Sequence, residues 1–336
     1  MVSPAQGVAA VLSPLSGKDF LSSEDANADQ TAALLDLARQ LKSGERRIDL
    51  GNRVLGLIFT KASTRTRVSF QVAMARLGGQ TVDLNPQVTQ LGRGEPLEDT
   101  ARVLSRFCDA LAIRTFAQQE LVDYAHWASI PVINALTDLE HPCQALADFL
   151  TMQEAFGDLQ GQTLAYVGDG NNVAHSLMIC GALLGVNVRI GCPDGFEPLP
   201  GVLEQAQRLA IGGAQISVTS DPIAAVRGAQ ALYTDVWASM GQEQEQAERE
   251  KAFQGFCLDE ALLAEADSRA IVLHCLPAHR GEEISPGVME GPSSRIFDQA
   301  ENRLHAQQAL LAALMGGLYG ARAWGSVALP ARYRSP

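Results

Sequence analysis

No stretch of the chain is apolar for long enough to cross a bilayer, because charge or glycine interrupts each one before the ~20 residues a membrane helix needs. Bases are scarce: 26 lysines and arginines against 38 aspartates and glutamates leave a formal net charge of -12. That balance argues against nucleic acid or an anionic membrane surface as a partner. The first fifty residues carry no arginine before Arg39 and no apolar core of signal-peptide length. Neither a secretory signal nor a transit peptide fits, so a cytoplasmic location is expected. The six cysteines, at 108, 143, 180, 192, 257 and 275, form no CxxC pair. They read as reduced thiols rather than a disulfide frame. His141 with Cys143, and His274 with Cys275, could touch a metal, but neither pair has zinc-site spacing, and no metal or cofactor is expected.

What is present is an alternation of short apolar runs with helical periodicity, in a chain of 336 residues that is 46% hydrophobic and so long enough for two packed cores. "VLGLIFT", "QTVDLN", "ALAIRT" and "PVINAL" read as buried strands, each followed by a helix pattern. After "HPCQALADFLTMQEAFG" the alternation restarts with "TLAYVGD", "NVRIGC", "QISVTS", "ALYTDV" and "AIVLHCL". This order predicts an α/β protein of two domains, each a parallel β-sheet flanked by helices. The expected domains are residues 1–145 and 146–298, with a C-terminal helix at about 299–318 packing back on the first. A helix near 24–42 places Leu34, Leu37, Ala38 and Leu41 on one face and stops at Gly44. The first twenty residues give little signal.

One stretch stands out chemically. "KASTRTR", residues 61–67, follows the strand "VLGLIFT" and opens a helix, crowding hydroxyls and two arginines onto one turn. If Ser63 or Thr64 caps that helix, backbone N–H groups and the helix dipole face an anion, and Arg65 adds a planar fork suited to phosphate or carboxylate. Arg67 lies two positions on, cannot easily share that ligand, and reads as a structural ion pair. The plain alternative is a capped helix with solvated arginines. Other strand ends bear on the choice: "ALAIRT" ends in Arg114, "PVINALTDLEHPCQ" leads to His141 and Gln144, and "AIVLHCLP" ends in Cys275, Leu276 and Pro277. Parallel sheets bind ligands at the carboxyl ends of their strands, so polar groups at several such ends point to one cleft.

Taken in order, "STRTR", "QLGRGEPLEDTARVLSRF", "HPCQ", "GDGNNVAHSLM", "DVWASMG", "HCLP" and "ENRLHAQQALL" give the chain its family likeness. It resembles the aspartate/ornithine carbamoyltransferase superfamily, and within it the branch that uses ornithine. The likeness runs from about residue 55 to 315. It implies a first domain that binds carbamoyl phosphate and a second that binds L-ornithine, with transfer to the δ-amino group giving L-citrulline in arginine metabolism. It assigns Ser63, Thr64, Arg65 and Thr66 to the phosphate, helped by Arg114. His141 and Gln144, with Thr66 and Arg114, are expected around the carbamoyl group, and Arg303 completes that pocket. The family is built on a catalytic homotrimer, which can assemble into multiples of trimers, and Gln90 would reach the neighbouring subunit's site. Leu136, Asn172, Asp235, Ser239 and Met240 are expected around ornithine. Cys275 and Leu276 are expected beside the attacking nitrogen and the carbamoyl amide. Ser-Met-Gly at 239–241 marks the ornithine branch. Asp235 beside Cys275 would orient the attacking amine or help remove its proton, or would instead hold only the α-amino group.

A dinucleotide-binding reading of "TLAYVGDGNNVAHSLM" competes, since it has a strand, a glycine turn and a helix. It fails at the third glycine, where position 173 is Val, while Asn171 and Asn172 put polar bulk where a pyrophosphate needs close backbone approach. In isolation each site residue also has a plainer reading: Asn171 and Asn172 as helix caps, Cys275 as a small core residue, Arg303 as a solvated helix arginine. Other acceptors, namely aspartate, putrescine or N-acetylornithine, fit less well. Aspartate needs cations for a second carboxylate, and the other two each lack one α-group of ornithine.

Overall fold

The structure is a computed structural model that describes residues 4–61, 63–85, 94–238 and 246–319. It divides into two compact units. Of the described residues, the first takes those up to Leu21, Ala33–Asp138 and those from Leu304 onward; the second takes Ser22–Ala32 and Leu139–Arg303.

In chain order the first half holds α1 (Pro4–Leu12), α2 (Ala28–Ser43), β1 (Val54–Phe59), α3 (Thr64–Arg76), β2 (Gln80–Leu84), α4 (Leu97–Leu104), β3 (Ala110–Arg114), α5 (Gln118–Trp127) and β4 (Val132–Leu136). The four strands form one parallel sheet in the order β2-β1-β3-β4. A parallel strand covered on both faces reads as a continuous apolar run, and Leu55–Phe59 of β1 are all buried. A Cβ at Gly56 would stand 2.8 Å from Leu111 Cδ2 on β3, so a larger residue there would require that side chain to shift. The expectation of a buried strand at "QTVDLN" is corrected: β2 is the sheet edge, and Gln80, Val82 and Asp83 are exposed. Helix α1 was not signalled by the sequence, yet Ala9 and Leu12 are buried core residues.

The second half holds α6 (Pro142–Phe156), β5 (Thr163–Val167), α7 (Asn172–Leu183), β6 (Asn187–Gly191), α8 (Pro200–Leu209), β7 (Ile216–Thr219), α9 (Pro222–Val226), β8 (Ala231–Thr234), α10 (Gln246–Ala252), α11 (Glu260–Ala264), β9 (Ile271–His274), α12 (Pro286–Met289) and α13 (Ile296–Leu314). Its five strands are all parallel in the order β7-β6-β5-β8-β9. α6 starts with proline at its first position, where a missing N–H costs nothing, and ends at Gly157 with φ 78°. Every residue of α6 from Pro142 to Met152 is buried, so polar side chains on it must find partners inside the protein.

In each sheet the chain winds outward in both directions from a pair of central strands: β1 and β3 in the first, β5 and β8 in the second. Helices leaving such a pair diverge to opposite faces, and the carboxyl ends of the pair are where ligands find room. Among the described residues no helix is long and apolar enough to cross a membrane.

Candidate active site

In the first unit the residues expected from the sequence gather at the carboxyl ends of the central strands. Phe59 of β1 is in register with Arg114 of β3, and Arg114 with Leu136 of β4. The turn after β1 is tied to β3, since the Thr60 N–H and hydroxyl both donate to the Arg114 carbonyl, at 2.9 and 3.1 Å. Leu136 is held by its carbonyl, which accepts the Thr115 N–H at 3.0 Å.

Ser63 occupies the N-cap of α3, but its side chain makes no capping hydrogen bond, which corrects the expectation of a hydroxyl cap. A helix start not closed by its own hydroxyl can present N–H groups and the dipole to an anion. Thr64 and Arg65 are exposed and Thr66 is buried. Arg67 turns away to pair with Asp83, with its guanidinium 5.2 Å from the Phe59 ring centre. Lys61, which no motif singled out, adds positive charge at this edge. Burial and then the nearby Arg114 charge hold its pKa below the usual lysine value, against a smaller opposing effect of Asp138. Two cations that raise one another's cost of charging make a local attraction for an anion.

A cavity of about 570 Å³ also lies in the first unit, lined among others by Arg46, Asp49, Arg76 and Gln308. Asp49 precedes β1 and Gly78, also in its wall, precedes β2, so this cavity sits at the amino ends of the strands. It holds none of the residues expected to bind substrate.

In the second unit Asn171, Asp235 and Cys275 follow β5, β8 and β9, three neighbouring strands. The Cys275 thiol donates to Asp235 Oδ1 at 2.9 Å, and Asn171 Nδ2 donates to Asp235 Oδ2 at 2.9 Å. The same Asn171 caps α7, its Oδ1 accepting the N–H groups of Val173 and Ala174. Asn171 thus does what its cap reading requires and also orients Asp235, a role that sequence reasoning missed in favour of Asn172. Asn172 opens α7 one residue further on. Asp169 pairs with Arg249 at 2.8 Å, and Arg249 also donates to the Trp237 carbonyl at 2.7 Å.

The dinucleotide reading meets a physical obstacle at the same turn. A Cβ on Gly170 would lie 2.2 Å from Pro198 N, and the Gly170 N–H donates to the Phe196 carbonyl. The protein's own backbone fills the close approach that a pyrophosphate would need.

A further group of expected site residues lies on α6 and α13. His141 sits at the N-cap of α6, buried, its N–H donating to Ser176 Oγ at 2.9 Å. Ser176 in turn donates to Glu140, a buried carboxylate that also accepts from Ser22 and Ser23. Burial raises the Glu140 pKa, and these hydrogen bonds act the other way. Arg303 donates to Gln144 Oε1 at 2.5 Å, and Gln144 Nε2 donates to Asp148 Oδ1 at 2.7 Å. Gln299 joins at the same oxygen, 2.6 Å away. Burial pushes the Asp148 carboxyl up to about 7, opposed by Gln144, Gln299 and the Arg303 charge. The Arg303 pKa is lowered by burial, against the pull of Cys143 and Asp148. The solvated reading of Arg303 is therefore corrected: it is a core arginine with polar partners.

Burial pushes the Cys143 thiol up to about 12, which makes it a poor metal ligand beside His141. Among the described residues Asp235, His274 and Cys275 come close enough together to hold an ion. Both ring nitrogens of His274 are already engaged, Nε2 with Glu283 and Nδ1 with the Leu276 N–H. Gln90, Ser239 and Met240 lie outside the described residues.

Comparison with known proteins agrees along nearly the whole chain. Residues 18–154 match the domain described as the aspartate/ornithine carbamoyltransferase carbamoyl-P binding domain, and residues 160–314 match the Asp/Orn binding domain of the same family. The chain is 83% identical over 318 residues to an ornithine carbamoyltransferase of Parasynechococcus marenigrum, covering 95% of this chain and 100% of that one. A relative of the same description from Nostoc punctiforme is 60% identical over 305 residues, 91% of this chain and 99% of that one. Among solved structures, ornithine carbamoyltransferase from Gloeobacter violaceus has a TM-score of 0.83 at 57% identity, covering 90% of this chain and 99% of its own. The enzyme from Pyrococcus furiosus has a TM-score of 0.86 at 48% identity, with 90% and 98% covered.

Proposed function

The chain belongs to the aspartate/ornithine carbamoyltransferase family, and from that premise we propose how its own side chains carry the reaction. The protein is an enzyme that transfers the carbamoyl group of carbamoyl phosphate to the δ-amino group of L-ornithine, giving L-citrulline and phosphate. Residues 1–145, with the helix at about 299–318, bind carbamoyl phosphate; residues 146–298 bind ornithine.

The phosphate is received by Ser63, Thr64, Arg65 and Thr66 at the start of α3, with Arg114. What supports this is the helix start lacking a hydroxyl cap beside the cationic pair Lys61 and Arg114. Arg114, His141 and Thr66 are the donors for the oxygen that turns negative when the amine attacks the carbamoyl carbon. Preorganised donors of this kind stabilise the tetrahedral state more than the planar one, and each contributes roughly a hundredfold or more in turnover. Gln144 and Arg303 complete the carbamoyl pocket, with Cys275 and Leu276 next to its amide.

The acceptor arrives charged. An alkylammonium has a pKa of about 10.4, so at neutral pH fewer than about one molecule in a thousand is a neutral nucleophile. Asp235 is the group suited to this problem. It already accepts from Cys275 and Asn171, and a cation held there is directed by a carboxylate whose own orientation is fixed. That contact, made by residues from three neighbouring strand ends, is the observation that carries the ornithine assignment. Leu136, Asn172, Ser239 and Met240 complete the acceptor's surroundings, and Asp235 orients the amine as its proton leaves.

The enzyme acts as a homotrimer or a multiple of trimers, in the cytoplasm, with Gln90 serving a neighbouring subunit's site. Val68 and Val72, one helical turn apart on α3, and Val82 on the edge strand β2 are exposed apolar side chains of the kind that a subunit contact covers.

The deciding experiment follows product from carbamoyl phosphate with L-ornithine, aspartate, putrescine or N-acetyl-L-ornithine. Citrulline from ornithine alone is expected. Product from another acceptor would keep the carbamoyl phosphate assignment and overturn that of Asp235 and its neighbours.

A further inference from the structure

The loop after β9 carries the two residues assigned to the carbamoyl amide, and its backbone is unusual. Leu276 has φ 62°, the one non-glycine residue with positive φ among those described. A leucine in the left-handed region is strained by its Cβ and persists only where its surroundings hold it. One group that holds it is His274. The Leu276 N–H donates to His274 Nδ1 at 2.8 Å, which requires a lone pair on Nδ1 and so places the ring proton on Nε2. Nε2 faces Glu283 Oε1 at 3.0 Å, and both side chains are fully buried.

Glu283 is fixed in turn. Its Oε1 also accepts the His279 N–H at 2.6 Å, from the far side of the same loop. The His274 backbone is anchored as well, its N–H donating to Gln299 Oε1 at 2.8 Å, while Gln299 Nε2 donates to Asp148. Every polar atom of the His274 ring is therefore committed, and the carboxylate selects one tautomer, since only a ring N–H can face it. A chain of contacts runs from Glu283 through the imidazole to the strained peptide N–H.

We propose that His274 is a positioning residue for carbamoyl transfer. Held as the Nε2–H tautomer by Glu283, it pins the Leu276 N–H and so fixes where Cys275 and Leu276 point. The proposal rests on the assignment of those two residues to the carbamoyl amide and the attacking nitrogen. His274 itself touches no substrate. Its part is to keep a strained loop in one geometry, where a misplacement of about 1 Å can cost on the order of a hundredfold in rate.

Two measurements on the full-length enzyme test this. With ¹⁵N-labelled histidine, the His274 ring should show a protonated Nε2 and an unprotonated Nδ1. A protonated Nδ1 overturns the proposal, and this readout needs no substitution. His274→Phe keeps a flat ring and removes both ring contacts. His274→Asn replaces Nδ1 with an amide oxygen that can accept the Leu276 N–H. Among folded enzymes, His274→Phe should lose on the order of a hundredfold in kcat, with KM for carbamoyl phosphate within a few-fold of the parent because the phosphate contacts are untouched. His274→Asn should recover at least about tenfold of that loss.

A merely structural role predicts less folded protein but the parent's kcat per folded chain, and that result overturns the proposal. So does an Asn variant no faster than Phe. Should His274→Phe not fold, a protonated Nε2 with kcat of His274→Asn lowered a few-fold, up to about tenfold, supports the proposal, while the parent's kcat or a loss as large as a hundredfold in that variant overturns it. Failure of the underlying reading is separate: the unsubstituted enzyme would then make no citrulline.

Discussion

Asp235 accepts three hydrogen bonds: from the Cys275 thiol and the Val236 N–H at Oδ1, and from Asn171 at Oδ2. Asp235→Asn retains the shape and removes the charge that holds an ammonium in place. It should lower kcat/KM for ornithine by about 10²–10⁴-fold, the usual range for a positioned proton acceptor, and leave carbamoyl phosphate binding near the parent's. Steady-state kinetics with each substrate varied in turn checks this, and an equal loss on both substrates would remove the acceptor role. Because the neutral amine is the nucleophile, activity should rise through mildly alkaline pH; if Asp235 takes the proton, that rise should change form in the variant, and an unaltered profile means orientation alone. The two arginines of the α3 turn offer a paired comparison. Arg65→Met should raise KM for carbamoyl phosphate and cost roughly a hundredfold in kcat/KM. Arg67→Met instead breaks the half-exposed pair with Asp83, worth about 1 kcal/mol or less, and should show in thermal unfolding but not in KM.

The elements were legible where the signal was local. Runs such as "VLGLIF" and "TLAYV" became fully packed strands because parallel strands covered on both faces must be apolar throughout. Sheet order is not local, so β2 was read as buried although the topology leaves it at the edge. The family motifs named Asp235, Cys275, Gln144 and Arg303, and the structure joins them in pairs. It adds Asn171, Asp148 and Gln299, whose roles depend on partners distant in sequence, and Glu283, whose partner His274 lies nine residues back across a loop. Asp148 could have been suspected from one feature, a single carboxylate amid the apolar face of α6, since a buried charge demands partners. Burial holds its carboxyl at about 7, so between the ordinary aspartate pKa near 4 and that value the folded chain keeps a proton that the unfolded chain releases. Its contribution to stability is therefore lost as pH rises through that window. Asp148→Asn keeps the carbonyl that receives Gln144 and Gln299 and cannot ionise. Its Tm relative to the parent should climb from about pH 5 to about pH 8, and a constant difference would exclude titration of Asp148 there. Between β8 and α10, Trp237 stacks on Phe253 at 5.6 Å between ring centres, and its carbonyl accepts from Arg249. The Ser-Met-Gly segment follows it closely in sequence. In a variant with Trp127 and Trp324 replaced, emission from Trp237 should change when ornithine is added after carbamoyl phosphate. A steady signal at saturation would mean that the surroundings of Trp237 do not respond to the acceptor.

At the scale of the whole molecule the question is whether one chain makes a complete enzyme. The exposed Val68, Val72 and Val82 favour a covered face, and the proposed role of Gln90 makes the contact functional rather than merely stabilising. A chain of 35.9 kDa should therefore sediment at three times that mass or a multiple of it. Mass alone does not show that subunits share residues, but complementation does. A Gln90→Ala chain keeps Asp235 and spoils only the site next door; an Asp235→Asn chain spoils its own site and lends a sound Gln90. Each alone should be nearly inactive. Unfolded together and refolded as mixed trimers in equal amounts, half of the sites carry a sound Asp235, and half of those border a subunit with a sound Gln90. About a quarter of the parent's activity should return, since closed cyclic symmetry gives every site one such neighbour. If Gln90 served the site of its own chain, every site in the mixture would lack one residue or the other, and refolding together would recover nothing.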